Sequence, residues 1–144
     1  MDKKEWLKQA QEIISGYLTR KDGCFDDQMH ASLVDCNYEE QSATIEFETQ
    51  KWQINEWGGI HGGALAGMFD TAFGVMADFV AGEGEATTVD MNISYLRTVD
   101  FGQHLTIKVS VVKAGRKIIR QRAEMFCKET GKLVATGVGT WMPL

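Results

Sequence analysis

Apolar side chains recur at helical spacing across residues 3 to 20, where Trp6, Leu7, Ala10, Ile13, Ile14, Tyr17 and Leu18 are separated by lysines and glutamates. This spacing predicts an amphipathic helix. The run Lys21–Gln28 breaks the pattern and reads as a loop. Strands are predicted near Ala31–Cys36 and Ala43–Thr49. In the second, Ala43, Ile45 and Phe47 alternate with Thr44, Glu46 and Glu48, as in a half-buried antiparallel strand. After a loop over Lys51–Ile60 the chain stays mainly apolar to Ala81, which predicts a long helix over roughly 63 to 80. A glycine-rich turn over 81 to 86 leads to strands near Thr87–Leu96, Leu105–Val112, Ile118–Lys128 and Leu133–Met142. The turns Ala114–Lys117 and Glu129–Lys132 are short enough for hairpins.

One very apolar helix among about five or six antiparallel strands is an α+β arrangement. A helix apolar on most sides must be covered on most sides. A curved sheet wrapped around it covers part, and a second copy of the chain covers the rest. The stretch from Ile60 to Ala81 is nearly long enough to cross a bilayer, but it holds His61, Asp70 and Asp78, which are costly in lipid. A buried helix in a soluble protein explains it better. The 144 residues suit a single domain, 1–144, with an N-terminal helix and loop over 1–25 and the sheet and central helix over 26–144.

The formal charge of -5 lowers the expectation of a nucleic-acid partner, which asks for a clustered basic surface. The N-terminal stretch has no apolar core ending in a cleavage site, so no secretory signal is read there. Cys24, Cys36 and Cys127 are odd in number and lack CxxC spacing, which disfavours a disulfide framework and a zinc site. Reduced thiols and a cytoplasmic location are the expectation.

Two stripes run along the predicted central helix. Leu65, Met68, Phe69, Ala72, Met76 and Phe79 are bulky and suit a sheet. Gly63, Gly67, Asp70, Gly74 and Ala77 are small apart from one carboxylate. Asp70 is open to two readings, a structural residue bonded to a loop or a working carboxylate. The helix start His61-Gly62-Gly63 is open to two as well. It is either an ordinary glycine turn or a set of accessible N–H groups that stabilise a developing oxyanion.

The stretch N-E-W-G-G-I-H-G-G-A-L-A-G-M-F-D, residues 55 to 70, resembles the hotdog-fold thioesterases of the phenylacetate-pathway (PaaI) type and the related acyl-CoA thioesterase 13 group. Their signature is an Asn, then HGG, then an Asp nine residues after the His. The strand T-T-V-D-M-N-I-S-Y-L-R and the later G-R-K turn are also similar, so the resemblance runs from about Ala43 to Trp141. It implies a hotdog fold, with the central helix wrapped by the sheet, and hydrolysis of acyl-CoA to free acid and coenzyme A.

By the same resemblance Asp70 is the general base on water, or the nucleophile. A Gly62 or Gly63 N–H polarises the carbonyl with His61 nearby, Asn55 positions carbonyl or water, and Thr88 helps hold the water. Arg97, Gly115, Arg116 and Lys117 become candidates for the coenzyme A phosphates. A proline common after that arginine is replaced by Thr98. No cofactor beyond coenzyme A in the substrate, no metal and no membrane are implied. The assembly implied is a homodimer, or a tetramer built as a dimer of dimers.

The chemistry suits the residues. A thioester has a good leaving group, so its hydrolysis needs chiefly an oriented water and a stabilised oxyanion. No Ser nucleophile elbow or Cys–His arrangement competes. Asp70 lies about 10–12 Å beyond the glycines at 1.5 Å per residue, while both groups must approach within about 3 Å of one reacting centre. A two-fold pair of antiparallel helices solves this, with Asp70 of one facing the glycines of the other. Two rival readings remain, a hotdog dehydratase using His61 and a non-catalytic acyl-CoA-binding or regulatory protein.

Overall fold

The computed structural model describes residues 1–82 and 85–144. The chain runs α1 (Lys3–Leu18), β1 (Ala31–Asn37), β2 (Ser42–Glu48), α2 (Gly62–Ala81), β3 (Ala86–Tyr95), β4 (His104–Ala114), β5 (Ile119–Cys127) and β6 (Leu133–Pro143). Both helices and all six strands coincide with the predicted elements to within a few residues. Two short 3-10 turns, Asp27–Met29 and Lys51–Gln53, occupy stretches expected to be irregular loop. The predicted glycine-rich turn over 81 to 86 passes through Glu83 and Gly84, which lie outside the described residues.

All six strands form one antiparallel sheet in the order β1-β2-β4-β5-β6-β3. The inner face presents Ile45, Phe47, Leu105, Ile107, Val109, Met125 and Trp141, each at most 1 % exposed. Against this face lies α2, whose Met68, Phe69, Ala72, Phe73 and Met76 are all fully buried. Glycine is a poor helix former, so a helix holding four of them owes its stability to this burial rather than to propensity. Phe73 meets Trp141 with ring centroids 4.7 Å apart. Gly137 makes room for the helix, because a Cβ there would stand 3.1 Å from the Phe69 ring.

Helix α1 starts at Asp2, whose carboxylate accepts the Glu5 N–H at 2.9 Å. It buries Trp6, Ala10, Ile14 and Leu18, one residue per turn along a single face. Trp6 packs edge-on against Tyr38 at 5.6 Å and against Phe79 of α2 at 5.2 Å. The N-terminal helix thereby covers a flank of α2 that the sheet does not reach. The thiols are unpaired. Cys36 and Cys127 are buried, Cys24 is half-buried, and burial with Asp35 nearby pushes Cys36 up to about 11.

Strand β3 closes one side of the sheet, and among the described residues no strand pairs with its outer edge. It also carries a bulge. Thr88 stands opposite Trp141 and Asp90 opposite Thr140, so Val89 is an extra residue. This one-residue step decides which side chains of β3 face the helix.

Candidate active site

The first turn of α2 is organised by His61. Its backbone is extended, at φ -61 and ψ 136, and its Nδ1 accepts the Gly63 N–H at 2.8 Å. The ring therefore acts as the helix N-cap, and in the neutral form its proton sits on Nε2. A Cβ at Gly63 would lie 2.9 Å from that Nδ1, so only glycine leaves room for the cap. The chain entering the helix is held by Ile60 N–H donating to Val99 at 2.8 Å and His61 N–H donating to Gln53 at 2.8 Å. These bonds narrow the expectation that either glycine could supply the oxyanion donor. The Gly63 N–H is already spent on His61, whereas the Gly62 N–H has no hydrogen-bond partner among the described residues.

Two turns further along, Asp70 is half-buried and its Oδ1 accepts the Thr88 hydroxyl at 2.7 Å. Regular alternation along β3 would put Thr88 on one polar face with Asp90, Asn92 and Ser94, and the strand departs from it. The Val89 bulge turns Thr88 over to the face shared by Met91, Ile93 and Tyr95, because Thr88 stands beside the inward Trp141. Asp90 remains outside, 3.7 Å from Arg120. Deleting Val89 would restore regular pairing with Thr88 still opposite Trp141, so the deletion is expected to keep Thr88 on Asp70 and kcat within about threefold of wild type. Thr88→Ala, which removes the hydroxyl itself, is expected to lower kcat about 10-fold, the loss of one hydrogen bond to a charged group. Steady-state thioester hydrolysis by the two variants checks this.

Asn55 sits in the loop before the helix and uses its side-chain oxygen locally. Oδ1 accepts the Trp57 N–H at 2.9 Å and the Gly59 N–H at 3.1 Å. Its Nδ2 has no partner among the described residues and is the part left to act on a ligand.

Two cavities adjoin these groups. One, of about 280 Å³, has Asp70 and Thr88 in its wall together with Gly74, Val75 and the α1 end at Tyr17 and Arg20. Asp78 also borders it. Burial raises the Asp78 carboxyl, while the Ala86 N–H donating to it at 2.8 Å pulls the other way. The other cavity, of about 230 Å³, is lined by Phe25, Trp52, Ile54, His61, Gly63 and Ala64.

The small-residue stripe on α2 is accordingly not one continuous channel. A Cβ at Gly67 would lie 2.7 Å from Phe25 and 2.8 Å from Met29, so that notch is filled by the chain's own N-terminal segment. Gly74 faces open space, and Ala77 is fully buried. Phe73 and Met76 are core, whereas Trp52 is 55 % and Trp57 85 % exposed.

The phosphate candidates divide. Arg97 follows the end of β3 and is exposed. Gly115, Arg116 and Lys117 form the β4–β5 turn, with the Gly115 N–H donating to Ile118 at 2.8 Å. Ile119 stands opposite Trp141, which stands opposite Thr88, so this turn lies at the starting end of β3. Within one chain roughly 25–30 Å of strand separates it from Arg97. One residue escaped the sequence reading. Tyr95 donates its hydroxyl to the Gly62 carbonyl at 2.8 Å. A tyrosine ending an apolar alternation was the available signal, since its ring turns inward with the alternation while its hydroxyl needs a partner.

Asp70 thus sits at one station of α2 and the unpaired Gly62 N–H at another, about 12 Å apart along the helix. Among the described residues no cluster of three His, Cys, Asp or Glu side chains is placed to hold a metal ion.

A family model described as the thioesterase superfamily matches residues 58–134. Acyl-coenzyme A thioesterase 13 of Mus musculus is 30% identical over 93 residues, a match spanning 64% of this chain and 66% of that protein, just short of two thirds of its length. The structure of the E. coli PaaI protein from the phenylacetic acid degradation operon superposes with a TM-score of 0.81 at 19% identity, covering 96% of both chains. A Streptococcus pneumoniae hypothetical thioesterase solved with coenzyme A superposes at 0.71 with 20% identity, covering 79% of this chain and 85% of that one.

Proposed function

We propose that this chain, which belongs to the thioesterase superfamily, hydrolyses acyl-coenzyme A in an active site shared between two copies of itself. The observation that carries this reading is the separation of an Asp70 carboxylate, steadied by Thr88, from a Gly62 N–H with no partner among the described residues. Each is half of a hydrolytic site, and at about 12 Å neither reaches the other's reacting atom. A two-fold partner brings the halves together. The unpaired outer edge of β3 offers a seam for it.

In the assembled site, Asp70 of one protomer takes a proton from water as the water oxygen bonds to the thioester carbon. The carbonyl oxygen gains the charge and is met by the Gly62 N–H of the other protomer, with the positive end of α2 behind it. Collapse breaks the carbon–sulfur bond, and the departing thiolate receives the proton from Asp70. Asn55 contributes its free Nδ2 to the carbonyl or the water. The cavity between Phe25, Trp52 and His61 receives the part of the substrate next to the carbonyl.

Coenzyme A as the thiol is supported by the mouse relative's name. If two β3 edges pair antiparallel, the end of one lies beside the start of the other. Arg97 of one copy then approaches the Gly115–Lys117 turn of its partner, and the pair can share the phosphates of one ligand.

The test mixes two dead proteins. Asp70→Asn and Gly62→Pro chains, unfolded and refolded together in equal amounts, should form mixed pairs holding one intact site each. Random pairing should recover about a quarter of wild-type activity. Recovery near zero sinks the shared site. A wild-type chain that binds acyl-CoA but releases no thiol favours the non-catalytic reading instead.

A further inference from the structure

The peptide unit joining Gly62 to Gly63 is gripped at both ends by side chains. Its N–H donates to His61 Nδ1 at 2.8 Å, and its carbonyl accepts the Tyr95 hydroxyl at 2.8 Å. On the other side of Gly62, the preceding residues are tied to Val99 and Gln53. A glycine has the widest backbone freedom of any residue, and it is the residue whose N–H must hold one direction if it is to meet an oxyanion. Fixing the peptide after Gly62 and the segment before it removes that freedom.

We infer that Tyr95 is a positioning residue for thioester hydrolysis, locking the Gly62–Gly63 peptide so that the Gly62 N–H is aimed before substrate arrives. This rests on the shared-site reading above and assigns a role to a residue outside the Asn–HGG–Asp signature. Tyr95 reaches this place because it lies on the inward face of β3, opposite the fully buried Ala135. Its ring packs on Gly62, where a Cβ would stand at an ordinary 3.6 Å. Burial raises its hydroxyl above the ordinary value of 10.0, so the oxygen keeps its proton and stays a donor. A single strand thereby serves both halves of the chemistry, with Thr88 on the carboxylate near its start and Tyr95 on the oxyanion turn at its end.

The role predicts a specific kinetic pattern. Tyr95→Phe keeps the ring and removes one oxygen. It is expected to lower kcat about 10-fold, the loss of one well-made hydrogen bond, with KM within about twofold. The deciding comparison uses a Gly62→Pro background, which has no N–H left to aim. There Tyr95→Phe should cost nothing further, a departure from additivity that a general packing role does not produce. In the amide spectrum of the folded Tyr95→Phe protein the Gly63 signal, at the other end of the gripped peptide, should shift, and this holds even if the variant melts early. An unchanged kcat, an equal fall in both backgrounds or an unmoved Gly63 amide would each overturn the proposal. A wild-type protein without thioesterase activity defeats the underlying reading instead, so the two failures are told apart.

Discussion

Asp70→Asn is expected to lower kcat for acyl-CoA hydrolysis by about 10²–10⁴-fold, the usual worth of a positioned general base. The substitution is close to a pure test of proton acceptance. Asparagine has nearly the same shape, and its Oδ1 can still accept the Thr88 hydroxyl that Asp70 accepts at 2.7 Å. The amide nitrogen enters a cavity of about 280 Å³ that already holds polar groups, so the fold has little reason to change. KM should move little, because the carboxylate acts on water rather than on the coenzyme A portion. Thiol release followed with a chromogenic thiol reagent gives the rate, and thermal melting gives the control. A variant with a tenth or more of wild-type kcat would mean that Asp70 is structural.

Gly62→Pro should fall almost as far, by about 10²–10³-fold, the cost of losing one oxyanion donor. Proline deletes the N–H and little else at this position. Gly62 is the first residue of α2, where proline is favoured because that N–H has no helical partner. The residue before a proline is pushed toward extended backbone, and His61 already sits at φ -61 and ψ 136. The new Cβ would meet Tyr95 at 3.6 Å, an ordinary contact. The protein should therefore fold with its helix intact and fail in chemistry. Activity within about threefold of wild type would remove Gly62 from the oxyanion site.

The elements of this fold are legible because period and composition agree at almost every stage of the chain. Alternation in β2 and the unbroken apolar run of α2 leave little choice of secondary structure, and one sheet with one greasy helix leaves few ways to bury both. The spacing of Asn55, His61 and Asp70 was legible too, as a string of letters. Which N–H is free was not, because the answer depends on where the His61 ring turns, and it turns onto Gly63. The facing of Thr88 is hidden for a related reason. An extra residue inside a strand reverses the side chains before it and leaves no mark in the alternation itself. The small-residue stripe gives no sign that Gly67 is filled by Phe25 and Met29 of the same chain. Contacts made over forty residues cannot be seen in local spacing.

The free border of β3 also sets a limit on how this protein can be handled. Ten residues of strand with nothing paired across them among the described residues are adhesive, and they include Val89, Tyr95 and their half-covered apolar neighbours. On the proposed shared-site reading, a protomer parted from its twin would lose its chemistry and gain, at the same moment, a template for any extended polypeptide nearby. Dilution should thus inactivate the preparation before heat does, and the loss should end in precipitate rather than in a soluble unfolded chain.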